Sequence, residues 1–257
     1  MKNFLPIREI IKFNGNSFEH TLSGDNGPVI ILLNGFRMPL SSWEELYPDI
    51  QKNGRIFTYN RYGVGKTSKA SCPQTGEEVV RSLEKVLKAL DLQPPYILVA
   101  HSLGGIYANL YARLKPDEVL GVVFVDAAHP EEKQRQEEFK PPVFFRLIAG
   151  ILKTIDIFFD KYQHSEDECL GETILQIEAA GDFPPIPIAV VTGGKRMPLM
   201  PQASFDVHLQ CQKDLVALSP NSNQFVAEKS GHFPQITEPK IVNNAIKYVV
   251  SQISRNG

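Results

Sequence analysis

The 257-residue sequence predicts a single α/β domain: a mostly parallel eight-stranded sheet that opens with an antiparallel hairpin, carries helices on both faces and receives a helical insertion between strands six and seven. Three observations predict it. Short apolar runs alternate along the chain with stretches whose apolar residues recur every three to four positions, the signature of right-handed crossovers. The inner runs are continuous instead of alternating polar with apolar, as strands covered on both faces require. The alternation then breaks once, from His129 to Ile186, which marks the insertion.

In order, Arg8 to Leu22 form two strand-like runs about Asn14-Gly15, a dipeptide suited to the positive φ angles of a tight hairpin turn. Val29 to Leu33 is the third strand and ends in Asn34-Gly35-Phe36. Ser41 to Gln51 reads as a helix, and Arg55 to Tyr59 as the fourth strand, which delivers NRYGVGKTS. Thr75-Gly-Glu-Glu78 has capping-box spacing and starts an amphipathic helix through Leu83, Val86, Leu87 and Leu90. The fifth strand, Ile97 to Ala100, leads into a helix through Tyr107, Leu110, Tyr111 and Leu114 that stops before Pro116. Gly121 to Val125 is the sixth strand and ends at Asp126. The insertion combines the charged run EEKQRQEE with apolar residues from Phe144 to Phe159 at helical spacing. Ile186 to Val191, a helix near Phe205 to Leu218, a last strand at Asn223 to Ala227 and a final helix through Ile241, Ala245 and Val249 complete the chain.

Composition bounds the function. A net charge of −2 with no block of like charges provides nothing to hold a polyanion, so no nucleic-acid partner is expected. The amino terminus is broken by Pro6, Arg8 and Glu9 where a signal peptide needs a continuous apolar core, and no run of about 18 apolar residues suggests a membrane span. The three cysteines, Cys72, Cys169 and Cys211, fit free thiols in a reducing compartment. A cytoplasmic protein without stable membrane insertion is expected; the oligomeric state is not legible.

The chemistry centres on ILVAHSLGG, Ile97 to Gly105. A small residue two places before Ser102 (Ala100) and a glycine two places after it (Gly104) suit a sharp strand-to-helix turn. Such a turn exposes the serine hydroxyl and aims the Leu103 amide from a helix N-terminus toward a developing oxyanion. A rival lies at Gly65-Lys66-Thr67, which with GVVFVD ending at Asp126 would suit a P-loop nucleotidase. That loop needs a glycine at position 60, where Asn60 stands.

The elbow around Ser102, the Asn34-Gly35 loop, the NRYGVGKTS turn and the Ser230-Gly231-His232 loop ahead of Glu238-Pro239 together resemble the serine hydrolases of the α/β-hydrolase superfamily, esterase- or lipase-like, along nearly the whole chain. The resemblance implies a Ser-acid-His triad of Ser102, Asp126 and His232, with Asp206 as the alternative acid because no carboxylate follows Thr192 before it. It implies an oxyanion hole from the amides of Phe36 and Leu103, Asn34 standing where the family commonly carries His and Asn60 where it carries Asp. It makes 129–186 an inserted helical cap over the cleft. No metal or other cofactor is expected, since His20, His101, His129, His164 and His208 show no metal-ligand spacing; His101 is expected to pack within the elbow and His129 to be near the cleft. The expected activity is hydrolysis of a small to medium carboxylic ester through an acyl-enzyme, a serine nucleophile arguing against the dehalogenase and epoxide-hydrolase chemistries that use Asp. The alternative of a different class is a ligand sensor on the same fold, binding without turnover.

Overall fold

The computed structural model describes residues 5–136 and 160–256, and within them the chain opens as the hairpin expected: Asn14 and Gly15 take φ of 48° and 77° and join β1 (Glu9–Phe13) to β2 (Asn16–Ser23). There follow β3 (Val29–Leu33), a 3-10 segment (Leu40–Leu46) running into α1 (Tyr47–Ile50), β4 (Arg55–Tyr59), α2 (Gly76–Ala89), β5 (Tyr96–His101), α3 (Leu103–Leu114) and β6 (Val119–Val125). After the start of the insertion come α4 (Glu132–Arg135), α5 (Ser165–Glu168) and α6 (Leu170–Ala179), then β7 (Ile188–Gly193), α7 (Gln202–Val216), β8 (Ser222–Ala227), α8 (Pro234–Thr237) and α9 (Pro239–Asn256).

The described residues form an eight-stranded sheet in the order β1-β2-β4-β3-β5-β6-β7-β8. β2 runs antiparallel to both neighbours and all later pairings are parallel. From β3 the chain moves outward to β4, and from β5 it moves outward the other way. The crevice at the carboxyl ends of β3 and β5 is therefore the switch point at which such sheets bind ligands. Register brings the strand ends level: Leu33 pairs with Ala100, His101 with Val125, and Val125 with Val191. Residues that follow β3, β5, β6 and β7 thus leave the sheet on one rim.

The continuous apolar runs reflect burial on two sides. In β3, Ile31 and Leu33 join the core beneath α2 and α3, while Ile30 and Leu32 join the core beneath α1 and α9. β5 divides in the same way, Leu98 and Ala100 to one side, Ile97 and Val99 to the other. α2 forms because Val79, Val80, Leu83, Val86 and Leu87 make one buried stripe, and the Thr75 side chain accepts from Glu78 N at 3.4 Å at its start. The stretch expected as a helix from Ser41 to Gln51 is instead 3-10 and then one α turn. Pro48 has no N–H to give the Glu44 carbonyl, and that carbonyl takes the Tyr47 N–H three residues on.

In the insertion, α6 lies along α2 and α3. Gly76 N donates to Thr173 Oγ1 at 2.8 Å, and a Cβ on Gly76 would come within 2.5 Å of Thr173 and 2.6 Å of Leu110, which is why a glycine opens α2. The apolar stripe from Phe144 to Phe159 lies outside the described residues. All three cysteines are free, and no helix among the described residues is long and apolar enough to cross a membrane.

Candidate active site

Ser102 sits between β5 and α3 with φ 51° and ψ −125°, a backbone conformation that a non-glycine residue adopts only when its surroundings enforce it. The surroundings are specific. Its N–H donates to Val125 O at 3.3 Å, and its carbonyl accepts from Gly105 N and Ala128 N at 2.9 and 3.0 Å, tying the turn to the end of β6. Gly104 has no room for a side chain, because a Cβ there would stand 2.5 Å from Leu33 O and 2.7 Å from Asn34 O. The neighbouring loop is equally close: a Cβ on Gly35 would lie 3.2 Å from Ser102 Cβ. Leu103 is the first residue of α3, and Phe36 follows Gly35 on the loop after β3.

Asp126 leaves the end of β6 with φ 42° and is nearly fully buried. His232 arrives on the loop after β8. Its Nδ1 lies 2.8 Å from Asp126 Oδ2 and its Nε2 2.9 Å from Ser102 Oγ, so the tautomer consistent with both partners carries the proton on Nδ1. Asp206, the alternative acid, is exposed on α7, where it accepts from Gln202 Nε2 at 2.8 Å. His101 is fully buried in the elbow. Its Nε2 donates to His232 O at 2.7 Å, its ring lies against His232, Phe233 and Trp43, and burial, helped by the neighbouring His232, pushes it down to about 4, so it stays neutral.

Two parts of the site carry no signal at the level of sequence. His208, on α7, brings Nε2 to 3.0 Å from Asp126 Oδ1 and Nδ1 to 2.8 Å from Glu132 Oε1. Burial opposes charge on both His208 and Asp126. The hydrogen bonds outweigh it, holding Asp126 well below the usual carboxylate range and raising His208 to about 10. Arg61, in the turn after β4, is buried and spreads its guanidinium over Glu166 (2.6 and 2.8 Å) and the carbonyls of Asn34 (2.6 Å) and Gly35 (2.9 Å). The substitutions relative to the family pattern are explained by their partners. Asn34 accepts from Trp43 Nε1 and donates to Tyr59 O at 3.1 Å; Asn60 accepts from Leu40 N at 2.7 Å and donates to Glu19 Oε2 at 2.7 Å.

Ser102 and His232 open on a cavity of about 850 Å³ whose apolar wall includes Ile106, Ala128, Leu170, Met197, Met200 and Phe205, with His129 also lining it. The rival phosphate loop does not form an anion site, since the Lys66 amide already donates to the Glu19 carboxylate at 3.0 Å. Among the described residues no group of three or more His, Cys, Asp or Glu is arranged to hold a metal ion.

Residues 28–152 match the family model described as the alpha/beta hydrolase fold. YqjL of Bacillus subtilis (strain 168), an uncharacterized protein, is 35% identical over 105 residues, 41% of this chain and 42% of that protein, so the match spans less than half of that relative's length. An AB hydrolase superfamily protein of Gibberella zeae is 24% identical over 284 residues, covering 88% of this chain and 87% of that one. The enol-lactonase of Burkholderia xenovorans LB400 superposes with a TM-score of 0.69 at 16% identity over 95% of this chain and 100% of that structure, a likeness of fold. The sheet order, the elbow and these matches show that the chain has the α/β-hydrolase fold.

Proposed function

We propose that the chain is a serine hydrolase that cleaves a small to medium carboxylic ester through an acyl-enzyme. The observation that carries this reading is the continuous chain of hydrogen bonds from Ser102 Oγ through His232 to Asp126, opening on the apolar cavity. Ser102 Oγ attacks the ester carbonyl carbon while His232 Nε2 takes its proton, and Asp126 holds the Nδ1 proton and stabilises the imidazolium. The tetrahedral intermediate collapses with the C–O bond breaking and the His232 proton passing to the leaving alcohol. Water then repeats the sequence on the acyl-enzyme and releases the acid.

The oxyanion is held by the amides of Leu103 and Phe36. Arg61 supports the second. It grips the Gly35 carbonyl, and because C=O and N–H of a trans peptide point in opposite directions, the Phe36 N–H of that same peptide is turned away from Arg61. One such donor contributes about 10²- to 10³-fold in rate. We read 129–186 as a helical cap, in keeping with His129, Glu132, Lys133, Gln136 and Leu170 on the cavity wall. The acyl group would occupy the apolar wall.

The test is a fluorophosphonate probe with mass-spectrometric mapping, run beside turnover of an aryl ester. An adduct on Ser102 together with turnover is expected. A ligand sensor would instead be stabilised by small esters without turning them over, and an adduct elsewhere would refute the nucleophile.

A further inference from the structure

We propose that His208, held between Asp126 and Glu132, is a positioning residue for the triad, a cationic clamp that orients the acid and is itself neutralised by Glu132. The inference rests on the serine-hydrolase reading above and adds to it a second histidine on the acid.

Each oxygen of Asp126 has a distinct task. Oδ2 takes only the His232 proton, at 2.8 Å, whereas Oδ1 is fixed from two sides by Gly193 N at 2.8 Å and His208 Nε2 at 3.0 Å. Two donors on Oδ1 stop the carboxylate from turning about its own bond and present Oδ2 to His232. The other face of the His208 ring meets Glu132 Oε1 at 2.8 Å. A neutral imidazole has one N–H and one lone pair, so it can donate to only one of two carboxylates; donation to both requires the imidazolium. The raised His208 and depressed Asp126 agree with that arrangement.

Glu132 is needed for the charge balance. A lone cation on Asp126 would cancel the charge that has to stabilise the His232 imidazolium in the transition state. With Glu132 present, the three groups keep one net negative charge, and it is available to His232. Glu132 is itself held by His129 N at 3.3 Å and Gln136 Nε2 at 3.1 Å. The other ionisable groups nearby are Cys211 and Asp214 on α7, and His129, Glu131 and Arg135 from α4 and its approach. Lys195, after β7, lines the same cavity. Arg135 is occupied by Asp214 and Glu131, each at 2.6 Å, and Lys133 faces Asp167 at 3.9 Å, so the nearest opposite charges of these cations are not the His208 carboxylates.

The experiment compares wild type with His208→Asn, His208→Gln and Glu132→Gln in two assays across pH: aryl-ester turnover, and the rate of fluorophosphonate labelling at Ser102. Loss of a hydrogen bond to a charged group predicts that His208→Asn lowers kcat by about tenfold or more with KM within about twofold. Removing the cation should move the acid limb of kcat/KM, and of labelling, to higher pH. His208→Gln, which can still donate one N–H to Asp126, should recover most of kcat while the limb stays displaced. Glu132→Gln should move the limb the opposite way, because an anion is removed. Opposite shifts in two variants that both fold by circular dichroism are not produced by general loosening. Unchanged limbs, or shifts in the same direction, overturn the clamp; if His208→Asn does not fold, the other two variants decide it. Wild type that neither turns over ester nor labels at Ser102 removes the hydrolase reading and the clamp with it, whereas active wild type with unaffected variants removes the clamp alone.

Discussion

The two halves of the candidate site are built in opposite ways. The serine half is local: Ala100 to Gly105 holds the strand end, the strained turn and the helix start within six consecutive residues, and its neighbour, Asn34 to Phe36, follows directly on the adjacent strand β3. The acid half gathers Asp126 after β6, Glu132 on α4, Gly193 at the end of β7, His208 on α7 and His232 after β8. Ser102 and Asp126 both sit at positive φ, but only on the acid side is charge balanced where distant segments meet. A nucleophile needs a fixed position, which backbone geometry supplies, whereas an acid needs a defined proton and orientation, which only partners supply.

The comparison can be broken most severely at the serine. Ser102→Ala should reduce ester turnover by about 10³-fold or more and abolish labelling, with the thermal unfolding temperature little changed, since the hydroxyl carries no packing role. Retention of more than a tenth of wild-type turnover would remove Ser102 from the mechanism. On the acid side, Asp126→Asn should cost at least about 10²-fold at neutral pH by misplacing the His232 proton, and Asp206→Asn less than about tenfold. If the second variant is the crippled one, the acid half has been wrongly assembled.

Arg61 ties the serine half to the insertion, since it grips the carbonyls of Asn34 and Gly35 and is itself held by Glu166. Arg61→Met leaves a buried carboxylate without its partner and should lower unfolding stability by about 3–5 kcal/mol in a urea titration. A loss below 1 kcal/mol would mean that water reaches Glu166. Smaller and pH-dependent is the contribution of His208 to stability. Its folded value is raised from 6.5 to about 10, so its stabilisation is complete below about pH 6.5 and is lost as pH rises through about 10. The difference in unfolding temperature between wild type and His208→Asn should therefore be widest near pH 6 and narrow toward pH 10; a gap that widens with pH would contradict the protonated clamp.

Most of the fold was legible because its signals are local. Continuous apolar runs require burial on both faces wherever they occur, Asn14-Gly15 turns by itself, and Thr75 begins a helix with residues one turn away. Ser41 to Gln51, read as a helix, is helical but 3-10 before its one α turn, and Pro48 contains the reason for that form. Ser102, Asp126 and His232 are named by the resemblance of their strand-end motifs to the superfamily, and the structure brings Ser102 and Asp126 each within hydrogen-bonding distance of His232.

What the sequence by itself determined is therefore the alternation of elements and the turn at Ser102, because short-range sterics and the period of hydrophobic burial decide these within a few residues. Only the tertiary structure decided that His208 meets Asp126 across 82 residues and Arg61 meets Glu166 across 105. Such contacts depend on strand order and helix placement, and their partners look in sequence like any solvated charge: Glu132 stands in a run of charged residues with nothing to distinguish it from its neighbours. Burial makes the difference, since it turns an ordinary carboxylate into one that must find a partner, and burial at these positions is a property of the assembled sheet.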